Sequence, residues 1–347
     1  MRGLRYLAIV LTLVELALVT YLVHGVALAR ENAAAYSSSP VYNTALVVNS
    51  DVIIYTPSPK STYFHDDSYL AQRWGVNKIE APQAWQLAEG GKSVIVAVLD
   101  TGIDKDNGDL AHRLVAEVNF TDSPTSDDLY GHGTHMAGTI AAIAPECRLM
   151  NVKVADDAGR CEASVVARGI IWAVDHGARI INISLCMKPS PDLEEAVDYA
   201  WSQGAVIIAA AGNTGKSTPA YPSYYEDCLA VAGTNENDSL ALLSSHGDWV
   251  DVAAPGFNIY SEVPDNEYDY KSGTSPAVAH VSGVAALVFT VVEDCNSNGR
   301  VNDEVRQAIE NSCDSAFADG VGSGRVNAFQ AVMETVSSSS PSPSPSP

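Results

Sequence analysis

The order of patterns in this sequence predicts an α/β fold, built on a mostly parallel sheet covered by helices on both faces. Three observations predict it. Continuous apolar runs of strand length recur through the middle of the chain, amphipathic helical patterns alternate with them, and polar residues of chemical interest stand where the strands end. The strand runs are Val94-Ile95-Val96-Ala97-Val98-Leu99, Leu149 to Val154, Ile180 to Leu185, Val206 to Ala210 and Leu229 to Ala232. The helical patterns run from Ser164 to His176, apolar at Val165, Val166, Ile170, Ile171 and Val174, and from Asp192 to Gln203, apolar at Leu193, Val197, Ala200 and Trp201. Strands buried on both faces lose the polar alternation of a half-exposed sheet, so such runs belong in a parallel sheet with helical crossovers.

Taken in chain order, Arg2 and Arg5 precede an apolar run from Tyr6 to Ala29 that is broken by Glu15 and a few small or polar residues. The run reads as a secretory signal peptide or an uncleaved anchor over residues 1–29. Ala27-Leu28-Ala29 offers a small-x-small cleavage site, the length suits a membrane span, and Glu15 would be costly at mid-bilayer. The expected location is therefore outside the cytoplasm, either secreted or tethered through residues 6–29. Residues 30–62 form a short polar leader, strand-like only at Ala45-Leu46-Val47-Val48 and Val52-Ile53-Ile54-Tyr55. The α/β pattern occupies residues 63–336, and a Ser/Pro tract over 337–347 is expected to be extended and solvated.

The charge balance narrows the partners. With 20 Lys and Arg against 42 Asp and Glu, the net charge is −22, so the basic footprint that nucleic acid or an anionic membrane surface requires is missing. No nucleic-acid partner is expected, and a monomer is. Six cysteines in an exported chain fit up to three disulfides, with Cys295 and Cys313, flanking one short helical pattern, as the most credible pair. No Cys/His spacing suggests a zinc site.

In parallel sheets ligands bind outside the carboxyl ends of the strands, which directs attention to the loops there. The first strand runs into Asp100-Thr101-Gly102, and the fourth into Ala211-Gly212-Asn213. Gly131-His132-Gly133-Thr134-His135 opens a helix of small residues, and Gly273-Thr274-Ser275 stands before the long Ala/Val-rich run that starts at Pro276. Taken alone, Gly-Thr-Ser favours an ordinary Ser N-cap, and Asp or Asn beside Gly favours a turn. Together, an Asp, a His, an Asn and a Ser at loop mouths of one sheet are the parts needed for nucleophilic acyl transfer. A serine hydroxyl needs a base, and His132, with an ordinary pKa near ~6.5, can take and return a proton. Asp100 would orient the imidazole and stabilise the imidazolium. Asn213 and the Ser275 backbone N–H would donate to the oxyanion.

These strings, in the order Asp, His, Asn, Ser, resemble the subtilases, the subtilisin-like serine peptidases. Lys78-Ile79-Glu80-Ala81-Pro82, Trp249 to Gly256 and Gly322-Ser323-Gly324-Arg325-Val326-Asn327-Ala328 are similar to the thermitase branch of that family. The resemblance implies a three-layer αβα sandwich with a seven-stranded, mostly parallel sheet, and a serine endopeptidase acting on protein or peptide substrates. It assigns His132 as the base and leaves His135 and His280 to packing. It also implies that Ser184, Leu185 and Cys186 form one wall of the substrate groove, that Gly159 and Cys161 stand on the opposing wall, and that Gly212 lines the same groove.

The sequence departs from the family in four places. The helix opened by His132 proceeds through Gly138 to Ala144-Pro145 without the loop that wraps a tight calcium ion, so no cofactor or metal is expected. Asp109 is then expected to have no partners. A weaker calcium site stays open at Asp294, Asn296, Asn298 and Gly299, which resemble the opening of a calcium loop, although Val305 stands at its closing position. Cys186 and Cys161 replace groove glycines and are expected to crowd the substrate, with a Cα separation too wide for a bridge. Pro276 follows the serine, where the first helical turn tolerates proline, and the leader is shorter than the folded propeptide usual in the family. A catalytically impaired binding protein and a peptide ligase on the same fold are the competing readings.

Overall fold

The computed structural model describes residues 42–49, 52–57, 72–316 and 319–338. The signal or anchor expected over 1–29 and the end of the Ser/Pro tract lie outside them. Two compact units divide the chain, Met1–Thr62 and Tyr63–Pro347. In the first, β1 (Tyr42–Asn49) and β2 (Val52–Pro57) pair antiparallel, with Leu46 opposite Ile54. The strand-like runs of the leader are thus a hairpin.

The second unit starts with two short helices, α1 (Trp74–Lys78) and α2 (Ala81–Ala84), and continues into β3 (Ile95–Asp100) and β4 (Leu114–Asn119). Helix α3 (His132–Ile143), β5 (Arg148–Lys153), α4 (Ala163–Asp175), β6 (Ile180–Ile183), α5 (Pro191–Ser202) and β7 (Val206–Ala210) follow. Then come β8 (Cys228–Thr234), β9 (Val252–Pro255), a hairpin of β10 (Ile259–Val263) and β11 (Glu267–Lys271), and α6 (Thr274–Phe289). Helices α7 (Asn302–Asn311) and α8 (Ala328–Ser338) end the described chain, so α8 takes in the first residues of the expected Ser/Pro tail.

One seven-stranded sheet, ordered β4-β5-β3-β6-β7-β8-β9, is parallel throughout. Every residue of β6, β7, β8 and β9 is buried, as continuous apolar strands in a doubly covered sheet must be. On one face α3, α6, α7 and α8 pack through Met136, Ile140, Val281, Val284, Ile309 and Val332. On the other, α4 and α5 pack through Val166, Ile170, Leu193 and Val197. These three layers are the architecture the family resemblance implies. Helix α6 is apolar nearly all round because it is surrounded, lying against α3 and against β6 to β9.

Two expectations need correction. All six cysteines are unpaired thiols, so neither the three disulfides nor the Cys295–Cys313 bridge is present. Cys295 lies beside the first turn of α7, where its N–H donates to Glu304 Oε1, and Cys313 follows the last turn, with its thiol on the Ile309 carbonyl. Each cysteine is thus engaged at its own position along α7 and not with the other. Asp109 is not without partners either: its Oδ2 accepts the Tyr268 hydroxyl at 2.5 Å.

Candidate active site

Asp100 is the last residue of β3 and is fully buried. One carboxylate oxygen, Oδ1, accepts both the Thr101 backbone N–H and His132 Nδ1, each at 2.7 Å, while Oδ2 is buried with no protein partner. The bond to Nδ1 fixes the tautomer that leaves Nε2 free to accept a proton. Burial alone would lower the His132 pKa, and the Asp100 charge and hydrogen bond more than offset it, so the imidazole titrates above its ordinary value.

Three polar residues hold that pair in place. The Asp128 carboxylate accepts the N–H groups of Tyr130, Gly131 and Thr134 and so satisfies the start of α3, whose own N-cap residue, Gly131, offers no side chain for the purpose. The Thr101 hydroxyl donates to Asp128 Oδ1 at 2.8 Å and accepts the Gly133 N–H at 3.0 Å, tying the end of β3 to α3. Lys153, paired in register with Asp100, is completely buried and donates to the Thr101 and Asp127 carbonyls and to Asp157 Oδ1. Gly133 makes the close approach possible: a Cβ there would sit 2.0 Å from the Gly102 carbonyl oxygen and 3.0 Å from Asp100 Cβ.

Ser275 is the second residue of α6 and 9% exposed. Gly273 rather than Ser275 is the N-cap, so the serine is not an ordinary cap. First-turn N–H groups of a helix have no intrahelical acceptor, which leaves the Ser275 N–H available, and Pro276 lacks only an N–H that would be unpaired anyway. The Ser275 hydroxyl donates to the Ser184 carbonyl at 3.2 Å, and the Ser184 hydroxyl donates back to the Ser275 carbonyl at 3.2 Å. Behind Ser184, Asn182 Nδ2 donates to its hydroxyl and Asn182 Oδ1 accepts Ser282 from α6, so a buried polar chain locks α6 to β6. Among the described residues no hydrogen bond joins Ser275 to His132.

Asn213 follows β7. Its Oδ1 accepts the Thr274 N–H at 2.8 Å and the Thr274 hydroxyl at 3.2 Å, which leaves Nδ2 without a protein partner beside Ser275. Gly273, at φ 150°, has a backbone conformation that favours glycine, and a Cβ there would stand 3.0 Å from Asn213 Nδ2. His135 and His280 are buried on backbone carbonyls. His135 donates from Nε2 toward Ile259 and Asp269, His280 from Nδ1 toward Pro276, and burial pushes them down to about 3 and about 4, respectively.

The remaining groove residues lie where the strands end. Leu185, Cys161 and Met187 pack partly buried against the α4/α5 side of the core. Gly159 closes a turn on the Asp156 carbonyl, with the Tyr130 ring lying over it. Gly212 donates its N–H to Thr274 Oγ1 at 3.2 Å. The Cys186 thiol, solvent-facing on one edge, donates to the Ala210 carbonyl at 3.5 Å. Burial, then proximity to Cys161, pushes it up to about 11, so it is a neutral thiol at neutral pH.

At the weaker calcium site that the sequence leaves open, the side chains of the turn are engaged with the protein. Both Asp294 oxygens accept backbone N–H groups, from Asn298 and Gly299, and the Asn296 and Asn298 side chains donate their amides to Asp303 Oδ2.

Thr101, Asp128, Lys153 and Asn182 are functional supports that sequence reasoning passed over. Asp128 alone carried a signal, an Asp shortly before a helix start.

Comparison with known proteins places the chain in a family. Residues 91–330 match the family described as the subtilase family. The chain is 42% identical over 285 residues to thermitase from Thermoactinomyces vulgaris, covering 78% of this chain and 99% of that protein. It is 39% identical over 289 residues to a thermophilic serine proteinase from Bacillus sp. (strain AK1), covering 79% of this chain and 69% of the relative. Subtilisin BL from Lederbergia lenta is 39% identical over 266 residues, covering 74% of this chain and 96% of the relative.

Proposed function

The chain belongs to the subtilase family and is a serine endopeptidase acting on protein or peptide substrates; on that premise we propose that Asp100, His132 and Ser275 form its catalytic triad. The observation that carries this reading is the 2.7 Å bond between Asp100 Oδ1 and His132 Nδ1, made by a buried carboxylate at the end of a central strand. His132 Nε2 takes the Ser275 proton as Oγ attacks the substrate carbonyl carbon, and Asp100 stabilises the imidazolium that forms. The tetrahedral oxyanion receives hydrogen bonds from Asn213 Nδ2 and the Ser275 N–H, both fixed beforehand, so the stabilisation needs no reorganisation during the reaction. His132 then protonates the leaving amine, an acyl-enzyme remains on Ser275, and water activated by the same imidazole hydrolyses it.

In this reading the substrate backbone runs between Ser184–Cys186 and Gly159–Cys161. The enzyme works outside the cytoplasm, free or tethered, as a monomer and without a tight calcium ion. A fluorophosphonate probe tests it: the wild type is labelled on Ser275 and Ser275→Ala is not. No labelling of the wild type would return the chain to the reading of an impaired binding protein. Ligated product formed from an added peptide amine, in place of hydrolysis, would favour the transferase reading.

A further inference from the structure

Next to Ser275 two chain segments run side by side beyond their strands, Ser184 to Met187 after β6 and Ala211 to Asn213 after β7. A scissile carbonyl set against Ser275 Oγ, with its oxygen toward Asn213 Nδ2, sends the adjoining side chain on the acyl side into the slot between them. The far end of that slot is closed by the backbone, since Met187 N–H donates to the Tyr221 carbonyl at 2.9 Å. Its middle is crossed by a side chain, since the Cys186 thiol reaches from one wall to the Ala210 carbonyl on the other at 3.5 Å.

The remaining width can be read at Gly212. A single carbon atom placed on its Cα meets Ser245 Oγ at 3.3 Å, Cys186 Sγ at 3.5 Å and Ala220 Cβ at 3.6 Å. These distances put Cys186 Sγ within van der Waals reach of a first side-chain carbon beside Gly212, so the thiol narrows the space there. A methyl or hydroxymethyl group fits such a space, whereas a branched or aromatic side chain overlaps the sulfur. The wall that carries the sulfur is held by Ser184 to Ser275 and by Met187 to Tyr221, and the thiol itself rests on the Ala210 carbonyl.

We propose that Cys186 sets the specificity of this enzyme, filling the slot for the residue on the acyl side of the scissile bond so that cleavage follows Gly, Ala or Ser. The inference rests on the assignment of Ser275 as nucleophile. It is tested with a peptide series varied only at that residue, comparing wild type, Cys186→Gly and Cys186→Ala. All three are first titrated with the fluorophosphonate probe, which counts folded, competent sites independently of specificity.

Per labelled site, the wild type is expected to cleave after Ala at least tenfold more efficiently in kcat/KM than after Leu or Phe. Cys186→Gly is expected to raise the Phe/Ala ratio at least tenfold, with Cys186→Ala between. Labelled wild type that cleaves after Phe as well as after Ala overturns the proposal and leaves the nucleophile assignment standing. So does an unchanged ratio in both labelled variants. Absence of labelling in the wild type overturns both.

Discussion

Replacing Gly133 by alanine tests whether the placement of α3 on the end of β3 is what makes His132 competent. The added Cβ would lie 2.0 Å from the Gly102 carbonyl oxygen, so restoring an ordinary contact of about 3.4 Å moves the helix start away by about 1.4 Å. The hydrogen bond at risk is the 2.7 Å contact between Asp100 and His132, which the same displacement takes past 3.5 Å, where it no longer counts as one. Misplacement of a catalytic group by about 1 Å costs roughly 10²-fold, and overpacking a buried site costs about 1–3 kcal/mol of stability. The expected variant is folded, less stable by that amount in urea, and about 10²-fold lower in kcat/KM. Its pH profile carries the diagnostic. Asp100 holds the His132 pKa above its ordinary value against burial, which lowers it. Weakening that contact lets the pKa fall, and because the base must be neutral to act, the acid limb of kcat/KM moves to lower pH. Activity within threefold of wild type and an unmoved acid limb would refute the reasoning.

Three further outcomes follow from the same structure. Asn213→Ala should lower kcat about 10²–10³-fold with little change in KM, the magnitude established for the oxyanion-hole amide of a subtilisin, and steady-state kinetics would show it. Arg73→Met should cost about 3–5 kcal/mol in denaturant melts, because it strands Glu262, which is 3% exposed, without the guanidinium 2.7 Å away. Burial alone would raise the Glu262 pKa, but Arg73 depresses it below 4.5, so the pair's stabilisation is complete above that pH and lost as pH falls through the depressed value; in the variant the unpaired Glu262 is left with burial alone, so its deficit against wild type shrinks as pH falls, and paired melting series in acid check the sign. EDTA should leave the melting temperature unchanged, as measured by calorimetry.

Much of the frame was legible because buried parallel strands announce themselves. Val96 to Leu99 and Val206 to Ala210 are uninterrupted apolar runs, and the residues that end them, Asp100 and those after Ala210, inherit their position from the sheet. Strand β4 was not legible, since Leu114–Asn119 is an edge strand with alternating exposure and Glu117 facing out. Strand β9 is four residues long and ends in proline, and β10–β11 carries Glu, Asp and Tyr in a hairpin outside the main sheet. Buried polar supports were hidden for a different reason: Asn182 matters through Ser282, a hundred residues away, and no local pattern marks such a contact. Cysteine content pointed to bridges because export makes them possible, but bridging depends on how the thiols are placed, and Cys295 and Cys313 are each engaged at their own position along α7.

The polar chain from Ser282 through Asn182 and Ser184 to Ser275 has a consequence for how the molecule is made. The groups of the site are spread from Asp100 to Ser275, and the nucleophile's helix can be seated only after β6 to β9 exist to surround it. At synthesis rates of about 5–20 residues per second, the interval from Asp100 to Ser275 is roughly 10–35 s, during which the nascent chain carries a base and no serine to activate. On the proposed assignment, the site is therefore completed in one late step, when the central helix docks.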